Sequence, residues 1–339
     1  MRVYAPIDAE TLEGVGQQAK RAEALGFDGV FVPELKLDPF LTSVLCAEHT
    51  RKVKVSTDIA LAFPRSPMTT AYMAWALQRF SAGRFELGLG TQVKGHIERR
   101  FSAAWDSPGP RLKEYVRSLR SIWECWQKGI PLNFRGKFYN FTLMTPFFTP
   151  GPIDHPEIPI GISAVNTYNL QTAGEVCDSV RLHGFCTYKY VTEVVLPNLE
   201  EGASKAGRAL KDLEVSGGGF VITGADEEEL ARGMEEVRGA MAFYGSTRTY
   251  KPVMDVHGWG EVTLQLHQLS LKGAWEEMPH LITDEMVETF SAIGTYDRIA
   301  DAIKARFGDF ATQAALRLPR DDPASEEQVR QAIKALQST

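Results

Sequence analysis

The chain has 339 residues, 44% of them hydrophobic and 24% charged, with a formal net charge of -6. This balance suits a soluble globular protein with a large core and excludes a general nucleic-acid binder, which needs a basic face for phosphates. The opening residues MRVYAPIDAET lack the apolar run of a signal peptide, and no apolar stretch approaches the ~18 residues of a membrane span, so a cytoplasmic setting is expected.

Strand and helix patterns alternate along the chain. Residues 2–6 are a short apolar run, and 12–25 have helical spacing. GVFVP at 29–33 reads as a buried strand, 39–49 as a helix and 53–63 as a strand. Residues 67–80 are helical, with Pro67 suited to a first turn, and FELGLG at 85–90 is a strand. A strongly amphipathic helix over 112–128 ends at Gly129. Residues 130–156 break the rhythm with prolines and aromatics, and NFRGKFYNF there suits a small hairpin turning near Gly136. Strands over 158–163, 179–183 and 214–223 follow, each succeeded by a helix, at 167–177, 192–206 and 227–243. A second irregular stretch, 245–260, leads into polar helical material up to about 290. Gly294-Thr295 opens a helix over 296–307, and a strand at 314–318 and a helix at 325–336 close the chain.

Eight strands, each followed by helical material, predict parallel βαβ units closed into one TIM (β/α)8 barrel spanning 1–339. The stretches near 130–156 and 245–290 are read as loop insertions, where lids and binding surfaces usually sit. The four cysteines, Cys46, Cys125, Cys177 and Cys186, form no CxxC pair and have no histidine at zinc-finger spacing, so reduced thiols and no metal site are expected.

Candidate site residues follow from the barrel, whose C-terminal strand ends host chemistry. Glu34 directly follows GVFVP, with a capping carboxylate as the alternative. Gly88-Leu-Gly90-Thr91-Gln92 lacks the third glycine and the acidic residue of a dinucleotide fingerprint. It reads better as a strand ending where backbone closely approaches a ring. Lys94, His96, Glu98, Arg99 and Arg100 cluster just beyond it, as a site for an anionic ligand or as a solvated loop. Ser163, Ala164, Val165, Asn166 and Thr167 lie between strand and helix, where amides and the helix dipole favour a phosphate; a plain Asn or Thr N-cap is the alternative. His183 ends SVRLH, as a site histidine or a core histidine with its hydrogen bonds satisfied.

Several of these segments together resemble the luciferase-like monooxygenases. EALGFDGVFVPE, ending in Glu34, is similar to that family's second-strand signature, and PRSPMTTAYMAWALQRFSAGRFELGLGTQ to its third helix and fourth strand. IPIGISAV, TAGEVCDSVRLHGF, FVITGADEEE and GTYDRIADAIKARFG match later blocks. GTQVKGHIERRFS, LMTPFFTPGP, AFYGSTRTY and HGW resemble the branch that uses the deazaflavin coenzyme F420. The resemblance implies a bacterial-luciferase-like TIM barrel, usually a homodimer, with cofactor at the C-terminal face. It implies a cofactor site lined by Glu34, Asp58, Ile59, Gly90, Thr91, Gln92 and Ser163 to Asn166. It also implies a non-proline cis peptide between Asp58 and Ile59, with Thr57–Asp58 as the neighbouring possibility. Leu35 stands where several alcohol and sugar-phosphate dehydrogenases of the group carry an acid–base histidine, and Gln92-Val93 where a catalytic glutamate is expected, so their substrates do not carry over. The expected function is hydride exchange between coenzyme F420 (8-hydroxy-5-deazaflavin) and a small organic substrate, with His96 or Glu34 as proton donor. The alternatives are an FMN-dependent monooxygenase and a cofactor-binding protein without turnover.

Overall fold

The eight expected strands close into a parallel barrel in the computed structural model, which describes residues 1–338. Its strands are β1 (Arg2–Pro6), β2 (Gly29–Val32), β3 (Lys54–Thr57) continued by β4 (Ala60–Leu61), and β5 (Phe85–Gly90). A detached antiparallel hairpin, β6 (Phe134–Arg135) and β7 (Asn140–Phe141), follows and turns at Gly136 as its sequence suggests. Then come β8 (Ile160–Ser163), β9 (Ser179–Arg181) and β10 (Glu214–Ser216), the pair β11 (Phe220–Gly224) and β12 (Ser291–Thr295), and β13 (Gln313–Ala315). Around the barrel the order is β3-β2-β1-β13-β10-β9-β8-β5, and β3 pairs with β5 to close it. Register is set by pairs such as Tyr4 with Gly29, Val32 with Thr57, Val55 with Phe85 and Leu87 with Ile160.

Three readings of the sequence are corrected. The strand expected over 53–63 is interrupted at Asp58-Ile59, whose peptide bond is cis. The strand expected over 214–223 is two strands separated by Gly217 and Gly218 at positive φ, so β10 stays in the barrel while β11 leaves it. Gly294-Thr295 ends a strand and opens no helix: Ser291 to Thr295 run parallel to Phe220–Gly224, and the helix starts at Ile299. The stretch from 245 to 290 is mostly helical, with helices Lys251–Asp255, Gly260–Lys272 and Asp284–Phe290.

Strand alternation divides the core in two. On β5, Phe85, Leu87 and Leu89 are buried among the outer helices, and Phe85 meets Phe40 of helix Pro39–His49 with ring centroids 6.5 Å apart. Glu86 points inward. There Arg181 of β9 donates to its Oε2 at 3.1 Å and Tyr4 of β1 to its Oε1 at 3.1 Å. Arg181 also donates to Gln313 of β13 at 3.1 Å and to Ser56 of β3 at 3.2 Å. The barrel floor is therefore a cross-linked polar layer, with every charge in it paired. The four cysteines are buried and unpaired, and among the described residues no helix is long and apolar enough to cross a membrane.

Candidate active site at the C-terminal mouth of the barrel

Above the polar floor the wall is built from backbone and small side chains. A Cβ placed on Gly90 would lie 2.5 Å from Ile59 Cδ1 and 2.7 Å from Ser163 Oγ. The ends of β5, β8 and the β3–β4 junction thus meet so closely that a side chain at Gly90 would displace Ile59 and Ser163. A Cβ on Gly88 would lie 2.0 Å from the Thr57 carbonyl oxygen. That strand crossing is fastened by the Thr57 hydroxyl, which donates to Gly88 O at 2.8 Å while accepting from Gly88 N at 2.9 Å. Beyond Gly90, Gln92 takes φ 57° and its side-chain oxygen accepts from Val93 N at 3.0 Å, while Thr91 donates to Gln92 O.

Glu34 buttresses this wall. Its carboxylate accepts from Leu61 N at 2.7 Å and from Arg65 Nη1 at 2.7 and 3.0 Å, and Arg65 reaches Asp38 with its other amino group at 2.6 Å. The pair is largely buried, with side-chain exposures of 8% for Glu34 and 15% for Arg65. Such an engaged carboxylate fixes the loop after β2 against β4, and a charge-assisted pair of this kind leaves Glu34 badly placed to shuttle protons. Asp58 differs. It stands two residues beyond inward-facing Ser56, and its carboxyl accepts no hydrogen bond among the described residues. Burial pushes its pKa up, with Glu86 adding to the rise and Arg181 opposing it.

His183 follows β9 on the inward face above Arg181. Its Nδ1 accepts from Phe185 N at 2.9 Å, which leaves the ring proton on Nε2. Burial pushes its pKa down to about 4, so the ring is neutral near pH 7. Tyr244 and Tyr250 flank it with centroids 4.2 and 5.2 Å away, and Phe185 meets Tyr250 and Phe290 at 5.3 and 4.7 Å. The last turn of helix Glu227–Gly245, with Tyr244, and the turn after it, with Tyr250, thereby contribute an aromatic wall beside the mouth. Sequence reasoning found His183 but missed this wall. Both tyrosines lie within AFYGSTRTY, yet their convergence on His183 needs the helical path of a stretch read as irregular.

The phosphate-loop residues sit beside Gly90 through Ser163. Helix Thr167–Val176 begins there, with Asn166 as its N-cap accepting from Asn169 N. Tyr190 OH donates to Val165 O at 2.9 Å, which pins the loop, and Ala164 is buried while Asn166 is exposed. First-turn amides such as those of Thr167 and Tyr168 have no intrahelical partner. The N-cap reading and an anion site are thus compatible: the cap uses Asn169 N only.

The structure does not bring His96 into this group. It is exposed on the short helix Lys94–Arg99, and no contact ties it to Asp58, Gly90 or His183 among the described residues. Of its basic neighbours, Arg100 is partly structural: it donates to Leu35 O at 3.1 Å and lies over the Phe101 ring. Arg65, Glu86 and Arg181 carry the main electrostatics of the barrel, and none was singled out from the sequence. The signal available was charge inside strand patterns, in SVR and FEL. A cavity of about 630 Å³ opens at the opposite end, among Arg2, Asp28, Thr312 and Gln337. Its Asp28 is already bonded to Val3 N and Gln337, and it lies at the strand N-termini, away from the mouth.

Comparison with known proteins agrees with the barrel fold. An uncharacterized protein of Mycobacterium tuberculosis is 42% identical over 331 residues, covering 97% of this chain and 96% of that protein. The 5,10-methylenetetrahydromethanopterin reductase of Archaeoglobus fulgidus is 28% identical over 291 residues, 84% of this chain and 83% of that enzyme. The solved structure of the coenzyme F420-dependent tetrahydromethanopterin reductase from Methanopyrus kandleri superposes with a TM-score of 0.78 at 22% identity, covering 99% of this chain and 96% of that one. The sequence profile of the luciferase-like monooxygenase family matches residues 2–313, and the chain belongs to that family.

Proposed function

We propose that this protein is an oxidoreductase exchanging a hydride between coenzyme F420 and a small organic substrate at the C-terminal mouth of the barrel. The observation that carries the reading is the Gly90 cradle, where Ile59, Ser163 and bare backbone form a close wall that a planar ring can lie against. A likeness to a putative coenzyme F420-dependent oxidoreductase of Mycobacterium tuberculosis, 27% identical over 296 residues, supports the deazaflavin. When bound, F420 supplies a ring carbon that gives or takes the hydride. The protein's part is to bind, orient and screen. The amides at the start of helix Thr167–Val176 hold the phosphate. Lys94 and Arg99, both exposed on the loop beyond β5, attract the acidic tail. The His183 Nε2–H offers a neutral hydrogen bond inside the mouth, and Tyr244 and Tyr250 keep water from that side. The reading includes a cytoplasmic homodimer; exposed Phe80, Leu143, Phe147 and Phe148 supply apolar surface for a second copy, which the solution mass reports.

The test is a fluorescence titration of the purified chain with F420 and, separately, FMN, followed by a substrate panel with reduced F420. Saturable F420 binding, tighter than FMN, and oxidation of reduced F420 by a panel member are expected. Binding of FMN alone, with oxygen consumed when it is reduced, would replace this reading with the FMN monooxygenase. Binding of F420 without turnover of any substrate would leave a cofactor-binding protein.

A further inference from the structure

Among the described residues, Asp58 at the mouth of the barrel is an inward-facing carboxyl that accepts no hydrogen bond. Ser56 Oγ accepts from Arg181 across the barrel at 3.2 Å, and Asp58 stands one layer nearer the opening on the same face of the strand. The charged groups that face Asp58 are Arg181 from β9 and Glu86 from β5. Both are committed elsewhere: Arg181 to Gln313, Ser56 and Glu86, and Glu86 also to Arg2 and Tyr4. The backbone N–H of Asp58 donates to Val32 O at 2.8 Å, but its carboxyl accepts no hydrogen bond among the described residues. Of the other carboxyls at this end, Glu34 is occupied by Arg65 and the Leu61 amide, and Asp38 by Arg65. His96 is exposed to solvent.

We propose that the Asp58 carboxyl is the proton donor and acceptor of this site, an inference that rests on reading the mouth as a hydride-transfer site. A substrate carbonyl that gains a hydride at carbon must gain a proton at oxygen. The Asp58 O–H bond breaks as the new O–H bond forms, and water then returns a proton to the carboxylate; alcohol oxidation runs the same transfer backwards. Burial favours the protonated form, so the acid is loaded under conditions where an exposed aspartate is ionised. The barrel floor makes the position usable: Arg181 stabilises the carboxylate once the proton has left, yet donates no hydrogen bond that would hold it ionised beforehand.

Two measurements on the full chain test this. The first needs no cofactor. Infrared difference spectra between the natural protein and Asp58→Asn, followed as the pH is raised through and beyond the ordinary aspartate value near 3.9, should show a protonated-carboxyl C=O band that persists above that value only in the natural protein. Absence of that band overturns the proposal. The second follows F420 affinity by fluorescence. Across the pH range in which that band disappears, the natural protein should lose roughly ten-fold in affinity as Asp58 ionises against an anionic cofactor, while Asp58→Asn loses markedly less. The same pH dependence in both proteins overturns the proposal and leaves the F420 reading standing. No F420 binding by the natural protein at any pH overturns the F420 reading and withdraws the proton-donor role with it. Should circular dichroism show Asp58→Asn unfolded, Asp58→Ser takes its place in both measurements.

Discussion

Arg181 and Glu86 form an ion pair at 3.1 Å inside the barrel, with side-chain exposures of only 3% and 4%. The pair links β9 to β5 across the interior, and hydrogen bonds from Tyr4 and Arg2 to Glu86 and from Arg181 to Gln313 extend it to two more strands. Removing one member leaves the other charge buried and uncompensated. Glu86→Gln should therefore cost about 3–5 kcal/mol in urea unfolding, and Arg181→Met a similar amount. The double variant Glu86→Gln with Arg181→Met should be less destabilised than the two losses added together. Additive losses would mean that the two side chains act independently.

Gly90 allows a test of the wall itself. In Gly90→Ala the new methyl would sit 2.5 Å from Ile59 Cδ1 and 2.7 Å from Ser163 Oγ, so the Ile59 and Ser163 side chains must move aside. Overpacking of this kind costs about 1–3 kcal/mol. A planar ligand resting on the same wall should lose at least several-fold in affinity. Adding Ile59→Ala creates room for the methyl, so the double variant should recover most of the stability. If Gly90→Ala binds F420 as tightly as the natural protein, the ring lies elsewhere.

The phosphate loop gives an independent check. Val165 follows buried Ala164 and precedes the N-cap, where Tyr190 OH fixes its carbonyl. A negative charge placed there, Val165→Glu, should repel a phosphate at the helix start and weaken F420 binding by at least roughly ten-fold, the equivalent of about 1.4 kcal/mol. Thermal unfolding of the cofactor-free protein should change little, because the position is only partly buried. Affinity that is unchanged in the folded variant would remove the phosphate from this helix.

The barrel was legible because its signals are local. Runs such as GVFVP and FELGLG mark buried strands, and a helix follows each. The gaps arose where tertiary contacts decide. The segment Glu214–Thr223 reads as one strand pattern around three glycines, and only the positive φ of Gly217 and Gly218 shows that its second half leaves the barrel to pair with Ser291–Thr295. Phe290 and Ser291 look like the end of a helical stretch, which hid β12. Within the site, strand-end position identified Glu34, Gly90, Ser163 and His183, but position alone does not reveal occupation. Glu34 was a candidate proton donor because of its place after β2, and Arg65, 31 residues away in sequence, is what takes it out of that role. Asp58 was marked for its backbone, yet the feature that distinguishes it is a carboxyl that accepts no hydrogen bond among the described residues.

His183 should make the stability of the protein sensitive to mild acid. Burial holds its folded-state pKa near 4, against the ordinary value of 6.5. Above pH 6.5 both folded and unfolded chains carry a neutral ring, and the residue contributes no pH dependence. Between 6.5 and 4 the unfolded chain takes up a proton that the folded chain refuses, so stability falls as the pH drops through that window. Full burial would make the loss at pH 5 about 2 kcal/mol; the ring keeps partial access to solvent, so about 1–2 kcal/mol is expected. In His183→Asn that part of the acid sensitivity should disappear. The comparison to make is urea unfolding of both proteins at pH 7 and pH 5, with the difference between the two pH values read for each. An equal loss in both would mean that His183 takes up its proton freely in the folded state. The Nδ1 bond from Phe185 N would then not fix the tautomer, and the neutral Nε2–H donor assigned to the mouth would have to be given up.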